Sequence, residues 1–162
     1  MEIKKIYFYS NSLNYREFSN FWQSSFELDD QKWPTSEHYY QAQKFIDFPE
    51  YMEQIRSALT PSIAKKKGSI KPWSKEEQSK LQRPVTLRKD WEQVKDEVMI
   101  KVLKAKFTQN SKLKAILLST DNAILIENSM TDDYWGCGKN KNGQNKLGQL
   151  LMSLRQELKN NI

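Results

Sequence analysis

The sequence predicts an α+β fold: one domain, predominantly helical, with a few short strands. Three observations predict it. Apolar residues recur at three- and four-residue spacing through most of the chain, and most clearly in "LRKDWEQVKDEVMIKVLKAKF". Period-two alternation is confined to brief stretches such as "KKIYFYS" and "SSFELDDQKWP". The 162 residues suit one hydrophobic core, and no repeat, low-complexity tract or linker interrupts them.

In chain order, "KKIYFYS" reads as a strand, and "SSFELDDQKWP" as a hairpin turning on its polar "DDQ". "WPTSEHYYQAQKF" starts a helix capped by Thr35 or Ser36 that runs to about Asp47. Tyr39, Ala42 and Phe45 face a core in this helix, while Glu37, Gln41 and Lys44 form a polar stripe bordered by Tyr40. A second helix begins after Pro49 in "FPEYMEQIRSAL". "TPSIAKKKG" gives a third, with Thr60 as cap, Pro61 in the first position and Gly68 as stop. Residues 70–86 read as irregular, with a short helix at "SKEEQSKL". Trp91, Val94, Val98, Val102 and Ala105 mark the core face of the longest helix. "NSKLKAILLST" follows as a helix capped by Asn110 or Ser111, then "AILIEN" as a buried strand. A long loop, "SMTDDYWGCGKNKNGQNKLG", leads into a closing amphipathic helix, "NKLGQLLMSLRQELKN".

Composition narrows the chemistry. The net charge is +6 and the isoelectric point near 9.3, which favours an anionic partner, either a phosphorylated small molecule or nucleic acid. With one cysteine, Cys137, and one histidine, His38, neither an intrachain disulfide nor a His/Cys metal centre can be built. The N-terminus lacks the apolar run of a signal peptide, and no stretch of about 18 apolar residues is present. The reading is cytosolic, with no membrane partner. The oligomeric state is not encoded in these features.

Three carboxylates sit near aromatics, glycines or strand ends: Glu37, Glu127 at the end of "AILIE", and Asp132 three residues before Trp135. Two carboxylates from distant segments divide acid and base roles in many sites. Each also has a plainer reading: Glu37 as a first-turn acid on the helix dipole, Glu127 as an ion-pair partner, Asp132 as a turn former. The glycines and lysines of "WGCGKNKNGQNKLG", placed before a helix, suit a phosphate, yet match neither G-x-G-x-x-G nor the Walker pattern; a flexible turn fits equally. Trp135 could stack on a base or sugar, or anchor the loop. In "EFSNFW", Asn20 could bond a sugar hydroxyl or form a turn. Arg83, Arg88 and Arg155 fit phosphate ligands or surface ion pairs. Taken together, these residues describe a cationic, aromatic-rich site with two or three carboxylates, suited to a ribosyl phosphate or nucleotide-like ligand.

The ordered set "FSNFW", "WPTSEHYYQAQKF", "TPSIAKKKG", "LRKDWEQVKDEVM", "LIENSMTDDYWGCG" and "GQNKLGQLLMSLRQEL" resembles the NADAR family, the YbiA-like N-glycosidases. The resemblance spans about Tyr7 to Leu158. It implies hydrolysis of the N-glycosidic bond of a phosphorylated ribosyl or ADP-ribosyl substrate, with no metal or other cofactor. The substrate is either an early riboflavin-pathway aminopyrimidine ribosyl phosphate or ADP-ribosylated guanine in DNA. A non-catalytic ADP-ribose-binding module is the alternative. Position by position, the resemblance implies Glu37 as principal carboxylate and Asp132 as second acid/base or ribose ligand. It places Asn20, Lys44, Glu127, Trp135, Gly136 and Asn145 at substrate. The "ENSMTDD" segment departs from the family's usual flavour, and Cys137 stands where an apolar residue is common.

Overall fold

A computed structural model of the chain describes residues 3–69 and 84–160. The helix expected at "SKEEQSKL" and Arg83 lie outside the described residues. The chain divides into two compact units, Met1–Ser24 with Leu103–Ile162, and Ser25–Val102.

In the unit built from the two chain ends, the strand β1 (Lys5–Phe8) alternates as expected, with Ile6 and Phe8 buried and Lys5 and Tyr7 exposed. Its partner is the distant strand β4 (Ile124–Glu127), paired in parallel from Lys5↔Ile124 to Phe8↔Glu127. The C-terminal helix, Lys146–Asn160, packs on β4 through Leu147, Leu151 and Leu154, and the helix Ser111–Leu118 packs on it in turn. A 3-10 turn, Arg16–Phe18, inserts Phe18 edge-on to Phe8 at 5.6 Å and against Phe107 at 6.0 Å. Arg155 is buried, with the charge of Asp121 acting on it. Its guanidinium is buried and donates to Thr120 Oγ1 at 2.7 Å and the Ala123 carbonyl at 3.0 Å, fixing the entry to β4.

In the other unit, β2 (Phe26–Leu28) and β3 (Gln31–Trp33) form the expected hairpin. Asp29 (φ 52°) and Asp30 (φ 58°) both occupy the left-handed region, the geometry that suits a two-residue turn to the twist of its strands. Three helices follow: α1 (Ser36–Ala42), α2 (Pro49–Arg56) and α3 (Pro61–Gly68). The first is shorter than expected. It tightens into a 3-10 turn at Gln43–Phe45 ahead of Phe48, which precedes a proline and adopts φ −132°, ψ 72°. α1 packs on both α2 and α3, so every residue from Ser36 to Ala42 is buried. The longest helix, α4 (Trp91–Gln109), buries Trp91, Val98, Val102 and Ala105 as the spacing predicts, with Val94 half-buried. It is followed by α5 (Ser111–Leu118) and, after β4, by α6 (Lys146–Asn160). No helix among the described residues is long and apolar enough to cross a membrane.

Candidate active site

Glu37 and Lys44 belong to the helical unit. Asn20, Glu127, Asp132, Trp135, Gly136 and Asn145 belong to the unit of the chain ends.

Helix α1 begins with Thr35, whose side chain accepts the His38 backbone N–H. His38 is fully engaged. Its Nε2 lies 3.0 Å from the Ala58 carbonyl, which can only accept, so Nε2 carries the proton and Nδ1 accepts from the Thr35 hydroxyl at 2.8 Å. Burial holds its pKa below the ordinary value of 6.5, against the pull of the Ala58 carbonyl. The lone histidine is thus a neutral structural link between α1 and the end of α2.

The polar stripe next to it is not solvated. Glu37 is 6% exposed and Gln41 5%. One turn apart, they meet directly: Gln41 Nε2 donates to Glu37 Oε1 at 2.7 Å. Lys44 completes the stripe. Its ammonium donates to the Gly68 carbonyl at 3.2 Å and lies over the rings of Tyr40 (5.5 Å) and Trp91 (5.6 Å), which pack edge to face. Burial lowers the Lys44 pKa, Glu37 and Glu92 pull it back up, and Lys65 and Lys95 push it down. A carboxylate, an amide and an ammonium therefore lie along one stripe, the first two buried and the third half-buried beside two aromatic rings.

The loop after β4 has a different character. Asp132 Oδ1 accepts the backbone N–H groups of Tyr134 (3.0 Å) and Trp135 (2.7 Å), while the Asp132 N–H donates to Ser129 Oγ at 3.2 Å. One oxygen of Asp132 is thus a turn former, and the turn sets the half-exposed Trp135 edge-on to Tyr134 at 5.0 Å. Gly136 is required by close approach. A Cβ there would lie 2.7 Å from Ser129 Cβ, 3.0 Å from the Asp132 carbonyl and 3.1 Å from the Glu127 carbonyl. Asn145, in the left-handed region (φ 51°), extends the edge of β4: Oδ1 accepts the Glu127 N–H and Nδ2 donates to the Leu125 carbonyl, each at 2.9 Å.

Five consecutive backbone amides of this loop are already engaged. The N–H groups of Gly143, Gln144, Asn145, Lys146 and Leu147 donate to the carbonyls of Cys137, Asp133, Gly136, Tyr134 and Trp135 respectively. The entry to α6 is therefore tied down from within by the N–H groups of Asn145, Lys146 and Leu147, and this part of the loop is ordered by its own backbone bonds. What it offers an anion is side-chain charge. Lys141 lies over the Tyr7 ring at 5.4 Å and Lys146 over Tyr134 at 5.9 Å. Asn20 is buried directly after Ser19, whose carbonyl accepts from Lys106 Nζ at 2.9 Å.

Lys106 is the residue that sequence reasoning missed. It is 0% exposed, with its ammonium 5.2 Å from the centre of the Phe107 ring. Burial pushes its pKa down to about 7, and only Glu17 pulls it up. The signal was present: Lys106 stands seven residues after Met99 on the stripe of Met99, Val102 and Leu103, all buried. Cys137 is buried among polar backbone and side-chain oxygens at 3.7–4.0 Å. Among the described residues, no group of three or more His, Cys, Asp or Glu side chains could hold a metal ion.

Comparison with known proteins places this arrangement. The NADAR domain model matches residues 7–159. The chain is 46% identical to N-glycosidase YbiA of Escherichia coli (strain K12), over 94% of this chain and 88% of that one. It is 36% identical to riboflavin biosynthesis protein PYRR, chloroplastic, of Zea mays, covering 97% of this chain but only 26% of that one. A solution NMR structure of E. coli YbiA superposes with a TM-score of 0.81 at 44% identity, covering 99% of this chain and 88% of that one. A half-helical fold with short strands is common ground with the YbiA structure. The chain belongs to the NADAR family and is an N-glycosidase.

Proposed function

We propose that the substrate is a phosphorylated N-ribosyl compound and that Glu37 is the principal carboxylate of its hydrolysis. The observation that carries this is the buried Glu37 carboxylate, held by the Gln41 amide at 2.7 Å. Breaking the ribosyl C–N bond sends its electron pair to the departing nitrogen and leaves positive charge at the anomeric carbon. A carboxylate held in place stabilises that charge, and it accepts a proton from the water whose oxygen bonds to the carbon. The departing nitrogen takes up a proton, and Asp132 serves as the second acid/base or as a ribose ligand. Lys44, whose charge acts on Glu37, keeps the acid ionised and oriented. Trp135 stacks on base or sugar, and Asn20 and Glu127 bind the ribosyl group. Gly136 and Asn145 shape the loop, leaving phosphate to side chains such as Lys141 and Lys146.

Two substrate classes fit. The riboflavin name of the maize relative favours an early riboflavin-pathway aminopyrimidine ribosyl phosphate. The net charge of +6 also suits ADP-ribosylated guanine in DNA. Both are assayed side by side with wild type and Glu37→Gln. Wild type is expected to release free base from one substrate in clear preference, and Glu37→Gln to lose turnover by about 100-fold or more while still binding. Full turnover by Glu37→Gln removes Glu37 from the mechanism. Tight ADP-ribose binding by wild type with no cleavage of either compound would favour the binding-module alternative.

A further inference from the structure

We propose that Gln41 is a positioning residue that holds Glu37 as an ionised carboxylate, in a space that Gly68 leaves open by having no side chain. The inference rests on the reading of Glu37 given above.

Three observations carry it. Gln41 Nε2 donates to Glu37 Oε1 at 2.7 Å, with both residues buried. The other end of the amide, Gln41 Oε1, is buried and has no hydrogen-bond partner among the described residues. That oxygen occupies the place of a missing side chain. A Cβ on Gly68 would lie 1.9 Å from Gln41 Oε1, 2.7 Å from its Cδ and 2.8 Å from its Cβ.

A buried acceptor without a partner is unfavourable, and a half-turn of the amide could relieve it only if Glu37 offered a proton. That turn would set the amide oxygen against Glu37 Oε1, acceptor against acceptor, as long as Glu37 is ionised. With Glu37 protonated the preference reverses, because the carboxyl O–H would then donate to the amide oxygen. The two protonation states of Glu37 thus demand opposite amide orientations, and the arrangement present is the one that serves the anion. Gly68 ties the stripe together a second time, since its carbonyl accepts from Lys44. The end of α3 is itself fixed by Tyr51, whose hydroxyl donates to the Lys67 carbonyl at 2.7 Å. Among the described residues, the charges that act on Lys44 of this network are Glu37 itself, Lys65 on α3, and Glu92 and Lys95 on α4; burial lowers the pKa of His38 on α1.

The test is Gln41→Met, which keeps the length and unbranched shape of the side chain but removes the donor. The Glu37 carboxyl is titrated by carbon-13 NMR, its signal identified by disappearance in Glu37→Gln. Loss of a hydrogen bond to a charged acceptor is expected to raise the Glu37 midpoint by about one pH unit or more. The acid limb of kcat should move with it, with KM unchanged. A folded Gln41→Met whose Glu37 titrates as in wild type overturns the proposal. Gln41→Glu is the second variant, and serves if the first does not fold. Two carboxyls in contact should take up one proton far above the wild-type midpoint, and an unmoved midpoint again overturns the proposal. The titration needs no substrate, so it separates this inference from the catalytic assignment. An inactive Glu37→Gln with an unmoved midpoint in Gln41→Met sinks this inference alone, whereas an active Glu37→Gln sinks the assignment.

Discussion

Replacing Lys106 by Met should make this protein more stable near neutral pH and less stable, relative to wild type, as the pH rises. Lys106 is fully buried and burial pushes its pKa down to about 7, from the 10.5 of an unburied lysine. The sign follows from linkage. Between those two values the unfolded chain holds a proton that the folded chain has lost, so stability grows as pH rises toward the unfolded value. The slope is about 1.4 kcal/mol per pH unit, and the shift from 10.5 to about 7 therefore costs roughly 5 kcal/mol at neutral pH. Methionine escapes that cost and keeps the contact with Phe107. It loses the hydrogen bond to the Ser19 carbonyl, and leaving a buried acceptor unpaired costs about 1–3 kcal/mol. The net expectation is a variant about 2–4 kcal/mol more stable than wild type near neutral pH. That advantage shrinks by about 1.4 kcal/mol per pH unit and vanishes roughly two pH units higher. Urea denaturation of both proteins across this range measures the difference directly. A difference that does not change with pH would show that Lys106 keeps its proton in the folded state, and the account of its burial would be wrong. Activity should move the other way, because Lys106 anchors the carbonyl next to Asn20.

The loop after β4 gives two further tests. Gly136→Ala introduces a Cβ 2.7 Å from Ser129 Cβ and within 3.1 Å of two carbonyl oxygens, so we expect a loss of about 2 kcal/mol or more, read as a lowered Tm. An unchanged Tm would mean the loop has slack that the geometry denies. Asn145→Ala removes both bonds to the edge of β4 and puts alanine at a φ of 51°. The expected cost is about 2–3 kcal/mol. Asn145→Gly should recover the backbone share only, and full recovery by glycine would show that the side-chain bonds contribute nothing.

Much of the scaffold was legible because local physics decides it. The Thr60 cap with Pro61 behind it, the paired aspartates of the hairpin and the core face of α4 all act within a few residues of themselves. The pairing of β1 with β4 was not legible, since nothing in either four-residue strand encodes a partner more than a hundred positions away. The backbone pairing within the loop was not legible either. Glycines and lysines before a helix suggest an anion nest, but the carbonyls of 133–137 had already taken the amides of 143–147.

The buried polar residues expose a deeper limit. Periodicity identifies which residues share a helix face, yet it assigns that face to solvent whenever the residues are polar. Glu37 and Gln41 on α1 break the rule because α1 is enclosed on all sides, so its polar stripe is as buried as its apolar one. Lys106 breaks it differently, as a lone cation on an otherwise apolar stripe. The first departure has partners built for it: an amide facing the acid, and a glycine giving the amide room. The second has one carbonyl and an aromatic ring. A polar group kept inside at such cost, when an apolar residue would pack there more stably, needs a reason beyond stability. For Glu37 the proposed reason is chemistry on the ribosyl carbon. For Lys106 it is the exact placement of a backbone segment, and its signature would be a variant that gains stability while losing turnover.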